Sequence, residues 1–203
     1  MISPLAQAAS ILAAGLNMLG WFAYIRSQLR GLSRSSPANW LSSLLLVSCA
    51  FVAQARASSI YQSMLYAAGI AACLTAFMLS LRSRWVFEGS DVFLLSLSAI
   101  LLYMLLRRPA FAIGVIATYY LANYTLFVRN IALGYAQERP LPWAIWMAAA
   151  LAMLVSLRGA HWDALVLPGT NLLCWAAVFL VASRQAKGEP ANAAHSRSQA
   201  RGS

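Results

Sequence analysis

Charged residues are scarce in this sequence, and acidic residues are the scarcest of all. Only 10% of the 203 residues are charged and five are acidic, whereas 61% are hydrophobic. A soluble domain of this size needs roughly a quarter of its residues charged to cover its surface. No Asp, Glu, Lys or Arg occurs within residues 3–25, 92–106 or 110–128. The composition therefore excludes an ordinary soluble domain and predicts an integral membrane protein in contact with the lipid bilayer.

Histidine, cysteine and paired acids are too few to indicate an enzyme. The sequence has no His and carboxylate spacing for a metal, no nucleophile beside a base and no phosphate-binding glycine loop. We therefore expect no catalytic, metal or cofactor site. Cys49, Cys73 and Cys174 lie in apolar runs, and an odd number at membrane depth argues against disulfides. We expect them to be small buried hydrophobic residues.

The basic segment that begins a secretory signal peptide is also missing, so the first apolar run is predicted to be a membrane span. Apolar runs between charges and helix breakers predict seven spans. We expect helices rather than a barrel because the alternation of a membrane strand is absent. Spans 1 to 7 are predicted at residues 4–25, 39–55, 60–81, 91–106, 109–128, 141–157 and 163–183.

Basic residues are distributed unequally between the two sides that seven spans define. Most fall on the side of the C-terminus, and this bias predicts an external N-terminus and a cytoplasmic C-terminus. Basic loops can also bind nucleic acid, but between membrane spans topology explains them and no nucleic-acid partner is expected. The side of the C-terminus holds Arg26, Arg30, Arg34, Arg82, Arg84, Arg129, Arg139, Arg184, Lys187, Arg197 and Arg201, and the other side Arg56, Arg107, Arg108 and Arg158.

An internal repeat with an offset of 103 residues connects the two halves of the chain. Spans 1, 2 and 3 map onto spans 5, 6 and 7, and span 4 is left over. Chance similarity between apolar segments is the alternative. The pairs that share the offset include Trp21 with Tyr124, Arg26 with Arg129, Gly31 with Gly134, Pro37 with Pro140 and Trp40 with Trp143.

The span left over decides how the repeats are oriented. Three helices reverse the direction of the chain, so one linker helix makes the second copy parallel to the first. We therefore predict an all-α membrane protein with two parallel three-helix repeats joined by a linker helix (3+1+3). The predicted domains are the first repeat at 1–84, the linker helix at 85–107, the second repeat at 108–186 and a disordered cytoplasmic tail at 187–203.

The segments that carry this pattern are "NMLGWFAYIRSQLRG" with "PANW", then "LFVRNIALGYAQERPLPWAIW" and "LVLPGTNLLCW". They resemble bacterial PQ-loop and SWEET-like proteins of the MtN3-like superfamily, over about residues 10–183. That superfamily also includes nicotinamide-riboside transporters, the KDEL receptor and the membrane domain of some lipid-A-disaccharide synthases. The resemblance implies the 3+1+3 arrangement, the bacterial inner (plasma) membrane and transport.

One family feature is absent from both halves. PQ-loop proteins usually carry a proline near the cytoplasmic end of helices 1 and 5, where this sequence has Ala23 and Leu126. Proline frees a backbone carbonyl and lets a helix bend. The hinge that the resemblance implies therefore has no support from these positions.

The positions of the acids bear on ion coupling. Glu88, Asp91, Glu138, Asp163 and Glu189 lie in predicted loops, helix ends or the tail, and we expect none of them to be deeply buried. Intramembrane carboxylates are the usual carriers of protons or sodium in coupled transport. Facilitated diffusion is therefore favoured over ion-coupled pumping.

Neutral polar residues in the spans are the candidates for binding a solute. Asn171 follows Pro168, which is predicted to break span 7, and interrupted helices often mark transporter sites. The resemblance implies an asparagine in helix 7 and a tryptophan in helix 6, here Asn171 and Trp143 or Trp146. Asn171 maps onto Ala68, so the site would be asymmetric. The alternative for such amides is an interhelical hydrogen bond. The predicted substrate-binding residues are Asn171, Trp146, Trp143, Asn123 and Gln62.

Aromatic residues allow two interpretations. Trp40 and Trp143 follow loop prolines, so anchoring at the membrane interface is favoured over a stacking cage. Tyr120, Asn123 and Tyr124 share one helical face, which we expect to pack against span 1 rather than to hold a cofactor.

These observations favour a facilitative carrier of a small polar, largely uncharged solute. The alternative from another class is a non-transporting membrane subunit or assembly partner, because small-residue faces such as "WMAAALAM" suit helix packing. A lipid-handling partner follows only from the lipid-A synthase relatives. The partners expected are the bilayer, a solute and either a second copy or other membrane proteins.

Overall fold

The computed structural model describes residues 4–33, 37–57, 60–81, 109–158 and 162–187. This part of the chain is all-helical, as predicted, and each helix coincides with a predicted span to within a few residues. Predicted span 4 and most of the tail lie outside the described residues, and the domain boundaries stay a prediction. The six described helices are α1 (Pro4–Leu29), α2 (Pro37–Ala57), α3 (Ile60–Ser80), α4 (Pro109–Ala132), α5 (Pro140–Ser156) and α6 (Trp162–Ala186).

Prolines and glycines place several of the helix ends. Pro37, Pro109 and Pro140 each occupy the first position of a helix, where a backbone N–H has no intrahelical acceptor and proline costs nothing. Gly31 and Gly134 follow the ends of α1 and α4 with φ of 68° and 79°, a backbone conformation that favours glycine. Both ends form the same hydrogen bonds, including Leu32 N–H to the Ser27 carbonyl and Tyr135 N–H to the Asn130 carbonyl. The repeated sequence markers therefore form repeated local structures.

The helices pack in two sets with the same internal order. Within the described residues, α3 lies between α1 and α2, and α6 lies between α4 and α5. The main contacts between the sets are α1 against α5 and α2 against α4. A shift of 103 residues, forward for helices of the first set and back for helices of the second, converts each of these helix pairs into another observed pair.

Two of the described helices are long and apolar enough, by length and composition, to cross a membrane. They are Pro4–Leu29 and Ala164–Ala186, within α1 and α6. Shorter apolar stretches occur at Pro37–Ala53, Leu65–Ser80 and Pro140–Ser156. All three cysteines are free and buried, which confirms the interpretation of Cys49, Cys73 and Cys174 as buried small residues.

Two local expectations are wrong. The helix does not break at Pro168, because α6 continues on both sides of it; the ring removes one backbone N–H, and the surrounding turns keep the helical path. The face of α4 that carries Tyr120 and Tyr124 does not pack on α1 either. Within the described residues α4 packs against α6 and α2, because α1 pairs with α5 across the two sets and leaves α2 to pair with α4.

Candidate functional site

A cavity of about 50 Å³ lies where the two sets of helices meet, and all six described helices contribute to its wall. Its lining is rich in aromatic rings and contains three amide or hydroxyl side chains besides the tyrosines. No Asp, Glu, His, Lys or Arg is among the described residues that line it. The lining residues are Asn17, Trp21, Trp40, Ser43, Val47, Leu65, Tyr66, Gly69, Cys73, Tyr120, Tyr124, Trp146, Asn171 and Trp175.

The internal repeat is visible in this lining. Asn17 and Tyr120 stand at equivalent positions, separated by the same 103 residues as Trp21 and Tyr124. Ser43 and Trp146 form a third equivalent pair. Equivalent positions therefore face the same space from the two sets of helices, although their side chains differ. The positions that line the cavity therefore follow the internal repeat, whereas the side chains at those positions do not.

Most polar atoms around the cavity are occupied by neighbouring helices. Asn17 donates through Nδ2 to the Leu65 carbonyl at 3.2 Å, and its own carbonyl accepts from Trp146 Nε1 at 3.3 Å. Trp175 Nε1 donates to the Tyr124 hydroxyl at 3.2 Å. These bonds hold α1, α3, α4, α5 and α6 around the space, because each of them joins two different helices.

Two buried polar atoms on the lining have no hydrogen-bond partner. They are Oδ1 of Asn171 on α6 and the hydroxyl of Tyr66 on α3, and both side chains are 3% exposed. A buried polar atom without a partner costs about 1–3 kcal/mol. The alternative for Asn171, an interhelical hydrogen bond, does not occur at this oxygen. A carbonyl that accepts and a hydroxyl that donates or accepts are thus available to a ligand.

The five residues predicted to bind substrate are not all at the cavity. Asn171 and Trp146 line it, whereas Trp143 and Asn123 lie outside the lining. Asn123 donates to Ser43 Oγ at 3.5 Å, and its Oδ1 is buried without a partner. The side chain of Gln62 lies outside the described ones. Their roles in binding substrate stay predictions.

Tryptophan burial corrects the sequence interpretation. Trp40 and Trp143 are 3% and 1% exposed, so they are not anchors at the membrane interface. Their rings pack against Tyr24, with centroids 4.9 and 6.3 Å away. Both rings meet Tyr24 edge to face, at interplanar angles of 61° and 79°, so these contacts are aromatic packing between helices and not a stacking cage. The reason is that α1 packs directly on α5 and covers the start of that helix.

Glu138 is the functional candidate that the sequence analysis missed. It was expected in an exposed loop, but it is 2% exposed and is held between α1 and α5. Tyr24 donates to its Oε1 at 3.0 Å and Trp143 donates to its Oε2 at 3.4 Å. The expectation that no acid is deeply buried is therefore wrong. A lone acid in a short loop gives no sign of burial in the sequence.

The electrostatics of Glu138 follow from this position. Burial raises its pKa from the ordinary 4.5 to about 8, because the carboxylate loses its hydration. Hydrogen bonds from Tyr24, Trp143 and Ser33 act in the opposite direction by stabilising the charged form. Desolvation is the larger effect. The side chain is therefore mainly a neutral carboxylic acid near pH 7.

Neither comparison with other proteins nor metal chemistry assigns a function to this site. The chain matches no protein-family model, no curated protein and no solved structure. Over the ranges that the structure describes, no three His, Cys, Asp or Glu side chains come close enough together to hold a metal ion. The cavity can bind by hydrogen bonds and by ring contacts, and none of the described residues on its wall is an acid or a base such as Asp, Glu, His, Lys or Arg.

Proposed function

We propose that the protein is a facilitative carrier of a small polar, largely uncharged solute across the bacterial inner membrane. The observation that carries this proposal is the cavity between the two sets of helices, with Asn171 Oδ1 and the Tyr66 hydroxyl unpartnered on its wall. A buried carbonyl and hydroxyl that find no partner in the protein are suited to donors and acceptors of a solute. The surrounding rings suit its less polar faces.

The absence of charge among the described residues of the lining favours a neutral solute. A charged ligand moved into this cavity would lose its hydration and meet no opposite charge among the described residues of the wall. A neutral solute with N–H or O–H groups loses less and can replace its water contacts at Asn171 and Tyr66. The volume of about 50 Å³ has room for a few waters, so a larger solute requires the two sets of helices to move apart.

The seven-span architecture is part of the proposal. In this arrangement α1 to α3 and α4 to α6 are two parallel three-helix repeats, and the predicted span at residues 91–106 links them. Support comes from the helix pairs, which convert into one another under the offset of 103. Further support comes from the matching hydrogen bonds at the ends of α1 and α4. Parallel repeats of this kind bind solutes at the interface between the halves.

The distribution of exposed charge supports the proposed orientation. The ends of α1, α4 and α6 and the start of α5 lie together and carry six of the eight basic residues of the described ranges, the others being Arg56 of α2 and Arg158. The end of α5 carries Arg158, which lies at the opposite end of that helix. By the positive-inside rule, the end of the protein with most of the basic residues would face the cytoplasm, and the N-terminus would lie outside. The exposed basic residues at the cytoplasmic end are Arg26, Arg30, Arg129, Arg139, Arg184 and Lys187.

Exposed apolar side chains support contact with lipid. One side of α1 presents large hydrophobic residues that nothing in the described part of the chain covers. A soluble protein rarely exposes such a continuous surface, whereas lipid tails cover it at no cost. The exposed hydrophobic residues of α1 are Leu5, Ile11, Leu12, Met18, Leu19, Phe22 and Leu29.

The experiment that tests the proposal is a thermal-shift screen on the full chain purified in mild detergent. The panel contains polyols, monosaccharides and small neutral amides, and it is repeated on Asn171→Leu and Asn123→Leu. We expect at least one solute to raise the melting temperature of the wild type in a saturable way. Asn171→Leu loses the shift, because the available acceptor is gone.

Asn123→Leu is the matched control because it also removes a buried amide but lies outside the lining. It should keep the solute-dependent shift. A shift that persists in Asn171→Leu and disappears in Asn123→Leu would place the binding site elsewhere. No shift with any solute, together with recovery from the membrane in a fixed ratio with other proteins, would favour a non-transporting subunit.

A further inference from the structure

We propose that Glu138 is a proton-binding site that holds the Arg-rich end of the protein closed when it is protonated and releases that end when it ionises. The Arg-rich end is the one that carries Arg26, Arg30, Arg129, Arg139 and Arg184. The site lies outside the cavity and is not needed for the facilitative mechanism. It would make opening of the protein at this end depend on the pH of the adjoining solution.

Glu138 joins segments from both sets of helices. Tyr24 of α1 and Ser33, just after α1, contact its carboxyl group from the first set. Trp143 of α5 contacts it from the second set. The Glu138 backbone N–H donates to Gln185 Oε1 of α6 at 3.2 Å. One side chain and its own backbone therefore connect the ends of α1 and α6 with the start of α5.

The loop that carries Glu138 has a second attachment to the same helix. Gln185 Nε2 donates to the Ala136 carbonyl at 3.0 Å, so the amide of Gln185 holds the loop at two points. Ser33 is itself paired with Ser27 at 2.8 Å between hydroxyl oxygens. Movement of Glu138 out of its site would thus release the loop from α1.

All groups that contact the carboxyl are neutral. Tyr24 is the titratable group in direct contact, and no described Lys or Arg forms an ion pair with Glu138. The basic residues on the surrounding elements are exposed and turned towards solvent. The charged and titratable groups near the carboxyl on these elements are Tyr24, Arg26 and Arg30 at the end of α1, Tyr124, Arg129 and Tyr135 on or just after α4, Arg139 beside Glu138, and Arg184 and Lys187 at the end of α6.

Because its surroundings are neutral, the protonation state of Glu138 decides whether its side chain stays buried. A neutral carboxylic acid is compatible with a buried site that holds only neutral partners. Once the proton leaves to the adjoining water, the carboxylate has lost its hydration and has no buried cation. The ionised side chain is then more stable in solvent than in the buried site, and the exposed arginines there attract it. The same unfavourable burial of the ionised carboxylate raises the pKa of Glu138.

An aromatic layer connects this site to the cavity. Tyr24 packs between Glu138 and three tryptophans that line the cavity, with ring centroids 4.9 Å from Trp40, 5.7 Å from Trp146 and 6.3 Å from Trp21. Tyr24 and Trp143 are almost completely buried and separate the cavity from the Arg-rich end. Release of Glu138 removes an acceptor that positions both rings.

Two measurements on the full chain in lipid nanodiscs test the proposal. Infrared difference spectra follow the carbonyl stretch of a protonated carboxyl between about pH 6 and about pH 9. Hydrogen exchange, corrected for the intrinsic effect of pH, follows opening of residues 27–33 and 132–139. We expect a carboxyl band that disappears with a midpoint near pH 8. We expect an opening constant that rises by up to tenfold per pH unit below that midpoint and then levels off.

Three variants make the result decisive. Glu138→Gln should lack the band and show pH-independent opening, whereas Glu189→Gln, the control for loss of a carboxyl, should behave like the wild type. Tyr24→Phe keeps the ring but removes a donor to the carboxylate, so its midpoint should move to higher pH. If Glu138→Gln fails to fold, the midpoint of Tyr24→Phe still tests the proposal. A wild type without a titrating band, a pH response retained in Glu138→Gln, or an unmoved midpoint in Tyr24→Phe would each overturn the proposal.

Discussion

The indole ring of Trp146 lies directly against the backbone of Gly20, where α5 crosses α1. A Cβ atom built on Gly20 would stand 2.5 Å from two atoms of that ring, and the indole N–H reaches the Asn17 carbonyl one turn earlier. The equivalent contact between α4 and α2, 103 residues away on each side, joins Asn123 to Ser43. One contact fits a large ring against a glycine, and the other fits an amide against a hydroxyl. Equivalent helix contacts in the two halves are thus formed by different residues.

The first prediction concerns this close contact. Gly20→Ala should destabilise the protein by about 1–3 kcal/mol, since the new methyl group forces the Trp146 ring to move within a packed interface. Unfolding in detergent, followed by the melting temperature, measures the effect. Gly15→Ala is the matched control: it lies in the same helix, and its added Cβ would meet no atom within 4 Å apart from its chain neighbours and the nearby backbone of its own helix. It should be neutral or stabilising by roughly 0.5–1 kcal/mol. Equal destabilisation by both variants would contradict the packing described.

The second prediction separates a ligand site from a structural hydrogen bond. Asn171→Leu removes a buried oxygen that has no partner, so the solute-free protein should become more stable by about 1 kcal/mol. An asparagine that held two helices together would give a loss of stability of similar size. The melting temperature of the purified variant without added solute distinguishes the two.

The third prediction is the pH dependence of stability. The pKa of Glu138 is raised from 4.5 to about 8, so between these values the unfolded chain binds fewer protons than the folded protein. Its contribution to stability is therefore fully present below about pH 4.5 and is lost as the pH rises to about 8. Chemical unfolding at a series of pH values should show this decline in the wild type. Glu138→Gln should show less of it, and an unchanged decline would exclude Glu138 as its source.

The fourth prediction concerns orientation in the membrane. Gln137 and Arg158 are both exposed and lie at opposite ends of the protein, so Gln137→Cys and Arg158→Cys report on opposite sides. A membrane-impermeant maleimide added to intact cells should label Arg158→Cys and not Gln137→Cys. Disruption of the membrane should make both reactive. The wild-type cysteines give a low background because all three are buried. The reverse labelling pattern would invert the proposed topology.

The helices were predictable because lipid-compatible helices leave strong local signals. Long runs without charge, prolines at Pro37, Pro109 and Pro140, and the glycines after α1 and α4 all act within one or two turns. The offset of 103 could also be recognised from the sequence, because Gly31 and Gly134 are 103 residues apart and adopt the same backbone conformation after equivalent helices. At Pro168 the local signal misled, because helical turns on both sides preserved the helix across it.

The site was less predictable because it depends on which helices meet. Asn171 and Trp146 could be proposed because the resemblance to PQ-loop and SWEET-like proteins implies an asparagine in helix 7 and a tryptophan in helix 6. The burial of Trp143 depends on α1 covering the start of α5, and that of Glu138 requires Tyr24, from 114 residues earlier in the chain. Neither the aromatic layer nor the buried carboxyl has a signature within its own segment.

The measurement that tests the central claim most directly is solute counterflow in liposomes that contain the purified protein. Liposomes loaded with an unlabelled monosaccharide, polyol or neutral amide are diluted into traces of the same labelled solute, with no ion gradient. For a solute bound at the cavity, we predict transient accumulation of label in wild-type liposomes and none in Asn171→Leu liposomes. Accumulation that is equal in both, or none for every solute that shifts the melting temperature, would contradict the account.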